Sequence, residues 1–396
     1  MKLKAAFMLT GLIVIISCSR SVVQAYDLIT WVGARLASPE VPFLDSEGEY
    51  FRVETVAEGL ESPWAIVFGP DGRLFITERP GRLRMVIDGK LDPSPVPGVP
   101  PVHYAGQGGL LDMAFHPEFK HNQKIYLAYT GTTENGPMTQ VSSFTLNSDG
   151  LTDMRLIFPG FPGGGKLKHF GCRIRFGLDG KLYITLGERG EGRRAQDLMD
   201  LNGKTLRLND DGTVPEDNPF AERKDARPEI FSYGNRNSQG MAVHPGTGTI
   251  FQTEHGPSWN DAPGGGDEIN LIVAGGNYGW PLVHHRKTME GMIAPLVEYT
   301  PAIAPSGAMF YTGETFSAWK GNFFFAALVG QMLVRIKLED QKPVGQQFLL
   351  EKKYGRLRDV AQGPDGFIYV ITSDTDAYGP GHPDGDRLIR IVPSSL

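Results

Sequence analysis

Arg356-Leu-Arg358 sets two guanidinium groups two residues apart. In a strand that spacing puts both on one face, a geometry suited to two carboxylates. Other short polar segments could build a site with them. Gly106-Gln-Gly-Gly-Leu-Leu111 carries one amide, Gln107, in a glycine-rich bend that a ligand can approach closely. Lys168-His-Phe-Gly-Cys-Arg173 carries an imidazole, His169, and Gly234-Asn-Arg-Asn-Ser-Gln-Gly240 carries Arg236 and Asn237. Glu254-His-Gly-Pro257, Gly264-Gly-Gly-Asp-Glu-Ile-Asn270 and Gly276-Asn-Tyr-Gly-Trp-Pro281 follow. The chain has no G-x-S-x-G elbow, H-E-x-x-H, Walker loop or EF-hand loop. Gly163-Gly-Gly165 has no following helix and is a weak phosphate signal, and Asn209-Asp-Asp-Gly212 reads as a turn.

One phrase recurs between these segments. Phe68-Gly-Pro-Asp-Gly-Arg-Leu-Phe-Ile-Thr77 is matched closely by Phe176-Gly-Leu-Asp-Gly-Lys-Leu-Tyr-Ile-Thr185 and Gln362-Gly-Pro-Asp-Gly-Phe-Ile-Tyr-Val-Ile371. Looser copies begin at Phe115, Val243 and Phe310. The Asp-Gly pairs supply tight turns and the flanks are strand-forming. Spacings of about 45 to 70 residues suit a four-stranded blade with its loops. The expectation is an all-β, six-bladed β-propeller; a β-sandwich has no reason to repeat one phrase six times. The stretch Phe51–Val56 is expected to pair with Leu388–Val392 and close the ring. Helix is scarce, with a turn or two expected within Asp197–Leu208. Propellers place function at one channel mouth, and His169, Arg236 and Asn237 stand just before repeat strands.

Glycine (50) and proline (29) make about a fifth of the 396 residues, which suits a fold of many turns. Hydrophobic residues are 40%, with 22 Phe, enough for a sizeable core, and 21% charged residues argue against disorder. The net charge is −6 and no basic block could neutralise a run of phosphates, so nucleic acid is not expected as a partner. Two cysteines exclude a disulfide scaffold and a Cys-based zinc site. Lys2 and Lys4 precede an apolar run, Ala5–Ile16, that reads as an export signal over residues 1–25. Cleavage after Val23-Gln24-Ala25 competes with a lipobox-like Ile15-Ile16-Ser17-Cys18, which would leave a lipid anchor on Cys18. The expectation is an exported protein, periplasmic, secreted or outer-membrane-anchored, with no transmembrane helix in the mature chain. Residues 26–49 read as a linker and 50–396 as the propeller. Oligomeric state stays open.

Together, Gln-Gly-Gly-Leu-Leu, His-Phe-Gly, Arg-Asn-x-Gln-Gly, Glu-His-Gly-Pro, Gly-Asp-Glu-Ile-Asn and Asn-Tyr-Gly-Trp-Pro make the chain resemble the soluble aldose sugar and glucose dehydrogenases, the glucose/sorbosone dehydrogenase-like proteins that use pyrroloquinoline quinone (PQQ) on a six-bladed propeller. The resemblance runs from about Val56 to Ile391. It implies oxidation of the C1 hydroxyl of an aldose to a lactone, with electrons passed to an external acceptor. His169 would be the general base while hydride moves to the quinone. Arg236 would polarise the accepting carbonyl beside Asn237. The carbonyls of Gly256 and Pro257 would bind the calcium that clamps PQQ. Glu268 and the carbonyl of Tyr278 would hold a second, structural calcium. Arg356 and Arg358 would take PQQ carboxylates. Gln107 and the turn Tyr311-Thr312-Gly313 would complete the cofactor bed, although Tyr311 suits packing equally well. The chain departs from the family pattern at Lys168, Val329 and Thr300 and in an insert, Ser258–Pro263. The competing readings are a calcium-dependent propeller lactonase, which needs no Arg-x-Arg pair, and a non-catalytic binding propeller.

Overall fold

The computed structural model describes residues 41–161, 166–258, 261, 263–376 and 382–394. The export signal with Cys18, residues 26–40 of the linker, the Gly163–Gly165 run and Trp259, Asn260 and Ala262 of the insert lie outside the described residues.

Each close copy of the repeat folds the same way. Asp71 Oδ1 accepts the Arg73 N–H at 3.1 Å, the Gly69 N–H donates to the Arg73 carbonyl at 2.8 Å, and Gly72 takes φ +85°. Asp179 with Gly180, and Asp365 with Gly366, repeat that pattern. The carboxylate supplies a local acceptor for the turn and glycine the left-handed residue. The second copy replaces the turn with a short helix, Phe119–Asn122. In the fourth, His244 Nδ1 accepts the Gly246 and Thr247 N–H groups at 3.2 Å.

The aromatic positions of the phrase have a second task. Phe68 meets Tyr369 edge-on at 5.0 Å, Phe115 meets Phe75 at 5.8 Å, Phe176 meets Tyr126 at 5.1 Å and Phe310 meets Phe251 at 5.2 Å. In each pair the residue that opens one copy packs on the strand aromatic of the preceding copy. Such pairs add about 0.5–1.5 kcal/mol beyond burial. The repeat therefore encodes the seam between neighbouring sheets as well as the turn.

Six antiparallel four-stranded sheets result, a β-propeller as expected. Their inner strands are Pro63–Phe68, Leu110–Phe115, Ile174–Phe176, Ser238–Val243, Pro305–Phe310 and Leu357–Gln362. The sixth sheet takes its outermost strand, Phe51–Leu60, from the start of the chain, with Val53 opposite Ile391. This closes the ring. Of Asp197–Leu208, within which a turn or two of helix is expected, residues 204–208 form a strand; a short 3-10 turn lies earlier, at Gly192–Ala195. Lys204–Leu208 pairs on both sides, so ladder bonding wins over local propensity. The Asn209–Gly212 turn forms, with Gly212 at φ +88°.

Residues 41–49 are not a free linker. Pro42 and Leu44 exchange backbone hydrogen bonds with Gln346 at 2.8 Å, on the outer strand of the fifth sheet. Phe43 packs on Phe348, and Glu47 pairs with Arg335 at 2.5 Å and Lys337 at 2.9 Å. A sheet edge offers unpaired donors and acceptors, and this strap fills them.

Midway along the axis a charged plug crosses the channel. Arg173 is fully buried, 3.0 Å from Asp359, 3.4 Å from Asp112 and 4.1 Å over the Trp64 ring. It separates two mouths. Loops entering the inner strands gather at one, and the repeat turns gather at the other.

Candidate active site

Gln107, His169, Arg236, Asn237 and Arg356 lie in the loops that lead into inner strands, and Arg358 lies near the start of one. They share one mouth. The second strand of each sheet runs back to it and adds residues the sequence reading passed over, chiefly Arg79, Glu188 and Asp374.

His169 is buried at φ +54°. Its N–H donates to Gln107 Oε1 at 2.7 Å, and its Nδ1 lies 2.7 Å from Glu188 Oε1. Glu188 Oε2 accepts the Glu191 N–H at 2.7 Å. Both Glu188 oxygens therefore serve as acceptors, which makes Nδ1 the protonated nitrogen and leaves Nε2 with its lone pair free. Burial pulls the imidazole below its ordinary value; the Glu188 contact opposes this, and the Arg236 charge adds to it. Burial raises the Glu188 carboxyl, but the bond to His169 and the Arg236 charge leave it net lowered, so it stays ionised. Arg189 holds this loop through the carbonyls of Pro137, Lys166 and Lys168 at 2.9–3.2 Å. Gly187 is required here, because a methyl group would sit 2.2 Å from the His169 carbonyl oxygen. Arg79 likewise holds the Gln107 bend through the carbonyls of Gly106 and Gly108.

A hydrogen-bonded chain joins this pair to the arginines. Asn237 Oδ1 accepts from the Gly171 N–H and from Gln239 Nε2, both at 3.3 Å. Arg358 Nη1 donates to Gln239 Oε1 and to Ser306 Oγ at 3.1 Å. Arg358 thus has neutral partners only, and its Nε is buried with no partner among the described residues. Burial pushes its pKa down to about 9, Asp376 opposes this, and Arg79, Arg173 and Arg356 add to it. His255, also buried with an unpartnered Nε2, is held far below its ordinary value by burial and by Arg358, Arg236 and His169. The site is a buried, cation-rich cluster.

Two arginines are less free than the sequence suggested. Arg356 donates to Asp376 at 3.2 Å and to the Ser373 carbonyl at 3.3 Å. Arg236 sends Nε and Nη2 to Asp261 at 3.1 and 2.6 Å, and its guanidinium lies 5.4 Å from the Trp280 ring. Asp261 comes from the insert. It shows as a carboxylate within Ser258–Pro263, but nothing in the sequence says which cation it meets.

The turn Tyr311-Thr312-Gly313 does not join this site. It leaves the far end of Pro305–Phe310, a strand whose Ser306 end touches Arg358, so about 17 Å of strand intervenes. Tyr311 is a packing residue, fully buried, with its hydroxyl on the Gly366 carbonyl at 2.8 Å.

The Gly256 carbonyl accepts from Ser258 Oγ at 3.1 Å and the Pro257 carbonyl from the Gly265 N–H at 2.9 Å. Each keeps a second lone pair. Asp267, buried and raised to about 6 by that burial, holds the Gly256 N–H at 2.8 Å and so aims this bend. Glu254, Glu268 and Glu298 stand opposite one another across three neighbouring strands. Burial raises Glu254 to about 7 and, with the Glu254 charge, raises Glu268 well above the carboxylate range. Asn235 and Asn270 donate to Glu254, and each keeps a buried, unpartnered Oδ1. Tyr278 is buried beside them, its hydroxyl on the Leu271 carbonyl at 2.6 Å. Among the described residues no three acidic or imidazole side chains already converge as a metal cluster.

Fold and site together define a closed six-bladed propeller with an imidazole–carboxylate pair facing arginines at one mouth. The glucose/sorbosone dehydrogenase family profile matches residues 60–379, and the chain belongs to that family. It is 37% identical to the aldose sugar dehydrogenase YliI of Escherichia coli over 82% of this chain and 90% of that protein. The crystal structure of the Escherichia coli soluble aldose sugar dehydrogenase in its apo form aligns with TM-score 0.78 at 35% identity, covering 87% of this chain and all of that one. The PQQ-bound form of an aldose sugar dehydrogenase from Streptomyces coelicolor aligns with TM-score 0.75 at 30% identity, covering 87% and 99%.

Proposed function

We propose that this protein is an exported, PQQ- and calcium-dependent aldose dehydrogenase. It oxidises the C1 hydroxyl of an aldose to the lactone and passes electrons to an external acceptor. The observation that carries this reading is the buried Arg358, which lacks a carboxylate partner among the described residues and lies in the same cluster as the His169–Glu188 pair. A desolvated guanidinium whose hydrogen-bond partners are neutral and whose Nε is orphaned is costly unless an anion meets it, and a tricarboxylate quinone is such an anion. Arg356 and Gln107 belong to the same cluster.

PQQ, when bound, would supply a two-electron acceptor that water and side chains lack, and the Gly256 and Pro257 carbonyls would hold a calcium ion that supplies a Lewis acid. The chain does the rest. Glu188 fixes the tautomer in which Nε2 of His169 takes a proton from the sugar hydroxyl, and it stabilises the imidazolium formed. Arg236 supplies a fixed cation near developing negative charge. Glu268 and the Tyr278 carbonyl would take a second calcium, whose charge would relieve the run of buried carboxylates.

The test is reconstitution. Apo protein mixed with PQQ and calcium should reduce a redox dye when an aldose is added. Chelator treatment before loading and His169→Ala should each abolish the activity. No PQQ binding would overturn the reading, and hydrolysis of a lactone with calcium alone would replace it with a lactonase. Export is tested by fractionation, and a lipid on Cys18 by mass spectrometry of the mature amino terminus.

A further inference from the structure

The mouth opposite the candidate active site is also a built cavity, of about 550 Å³, and the proposed sugar chemistry does not use it. All six inner strands contribute to its wall. Phe68, Phe115, Phe176, Val243 and Phe310 bring apolar surface from the ends of five of them, and Met309 adds to it. The volume lies within the range of small-molecule sites, which combine apolar surface with a few placed polar groups.

Three polar side chains, Arg175, Thr312 and Gln362, stand among the apolar ones. Among the described residues, Arg175 is the one charged residue lining the cavity. Its Nη1 is committed to Asp112 Oδ2 and the Ile174 carbonyl, both at 2.7 Å. Its Nε and Nη2 have no protein partner among the described residues, and a quarter of the side chain is exposed. That leaves one edge of the fork free to donate two parallel hydrogen bonds. Gln362 uses its Oε1 for the Thr312 and Gly313 N–H groups, at 2.7 and 3.1 Å, which turns its amide nitrogen toward other acceptors. The free groups of Arg175 and Gln362 are therefore donors. Asp112, the nearest carboxylate, is already shared among Arg173, Arg175 and the Ile174 N–H.

From this arrangement we propose that the far mouth is a binding site for a small amphipathic carboxylate, of the kind a medium-chain fatty acid presents. Its head would take the free edge of Arg175, and its chain would lie against the phenylalanine-rich wall. The Arg173 plug separates this ligand from the sugar mouth, so both are held at once.

Octanoate and 1-octanol are the probes, titrated calorimetrically into the full-length protein with and without saturating PQQ and calcium. The expected result is one octanoate per chain, undisturbed by loading of the other mouth. Arg175→Gln should weaken octanoate about tenfold or more, the loss of a charge-assisted contact, and leave 1-octanol unchanged. Thr312→Trp, at an exposed rim position, should block both probes even if Arg175→Gln fails to fold. The proposal is overturned if octanoate does not bind, if PQQ displaces it, if folded Arg175→Gln binds it as tightly as the parent, or if Thr312→Trp leaves binding intact.

Discussion

Replacing Glu188 by glutamine tests the proposed base directly. The two Glu188 oxygens accept two donors, His169 Nδ1–H at 2.7 Å and the Glu191 N–H at 2.7 Å. A glutamine has one oxygen and one NH₂, so it satisfies only one of them. If its oxygen serves Glu191, its NH₂ faces Nδ1, the imidazole must carry its proton on Nε2, and the base is lost. If its oxygen serves His169, two N–H donors oppose each other in a buried pocket. Either arrangement forfeits a charge-assisted bond worth about 1.5–3 kcal/mol, roughly 10- to 150-fold. The imidazolium formed during proton transfer also loses its counter-charge. The expected drop in kcat is therefore on the order of 10²-fold or more, within the reach of a wrong-tautomer substitution. The assay is aldose-driven dye reduction by reconstituted protein, with PQQ affinity measured by titration on the same samples. Affinity should change little, because Glu188 faces the imidazole. Glu188→Asp should recover part of the rate. A Glu188→Gln protein that turns over within twofold of the parent would refute the assignment of His169 as a base oriented by Glu188.

Burial lowers the His169 pKa, and the neutral form is the active one, so activity should persist as pH falls below 6.5 and be lost only at more acid values; an acid limb of kcat/KM above 6.5 would contradict this. Arg358→Met should weaken PQQ binding at least a hundredfold in a fluorescence titration while leaving the apo melting temperature equal or higher, because a buried cation held down at about 9 is costly without an anion. A lower apo Tm would show that Arg358 is structural. Under the proposed assignment a calcium at Glu268 would compete with protons there, because burial and the charge of Glu254, itself raised to about 7, push Glu268 well above the carboxylate range. At a hundredfold excess over its Kd, calcium should raise Tm by roughly 5 °C. The gain should be larger at pH 8 than at pH 6, and a gain independent of pH would argue against Glu268 as a ligand.

Much of the architecture is legible in one phrase. Phe68, Asp71, Gly72 and the strand aromatics act over a few residues or across one repeated seam, so six copies announce six sheets. Ring closure by Phe51–Leu60 is legible because an apolar strand left over at the start must pair with something. The strap at residues 41–49 was not legible. Its Pro, Ser and acidic composition matches a linker, and only the edge of the fifth sheet gives it partners. Glu188 was missed because Leu186-Gly-Glu188 carries no motif. The topology alone returns the end of that strand to the mouth where His169 lies. The Tyr311-Thr312-Gly313 turn was misplaced for the mirror-image reason: it follows its strand where the other candidates precede theirs, and antiparallel geometry sends it to the opposite mouth.

The order of residues by itself determined the turns, the strand faces, the inter-sheet seams and hence the closed ring, because these depend on short-range stereochemistry and on apolar surface that must be covered. Which charges meet was decided only by the tertiary structure. Arg236 found Asp261, Arg356 found Asp376 and Arg358 found no carboxylate, although all three are arginines beside inner strands. A guanidinium's chemistry is set by its desolvation and its neighbours, and at the axis of this ring those neighbours come from different sheets.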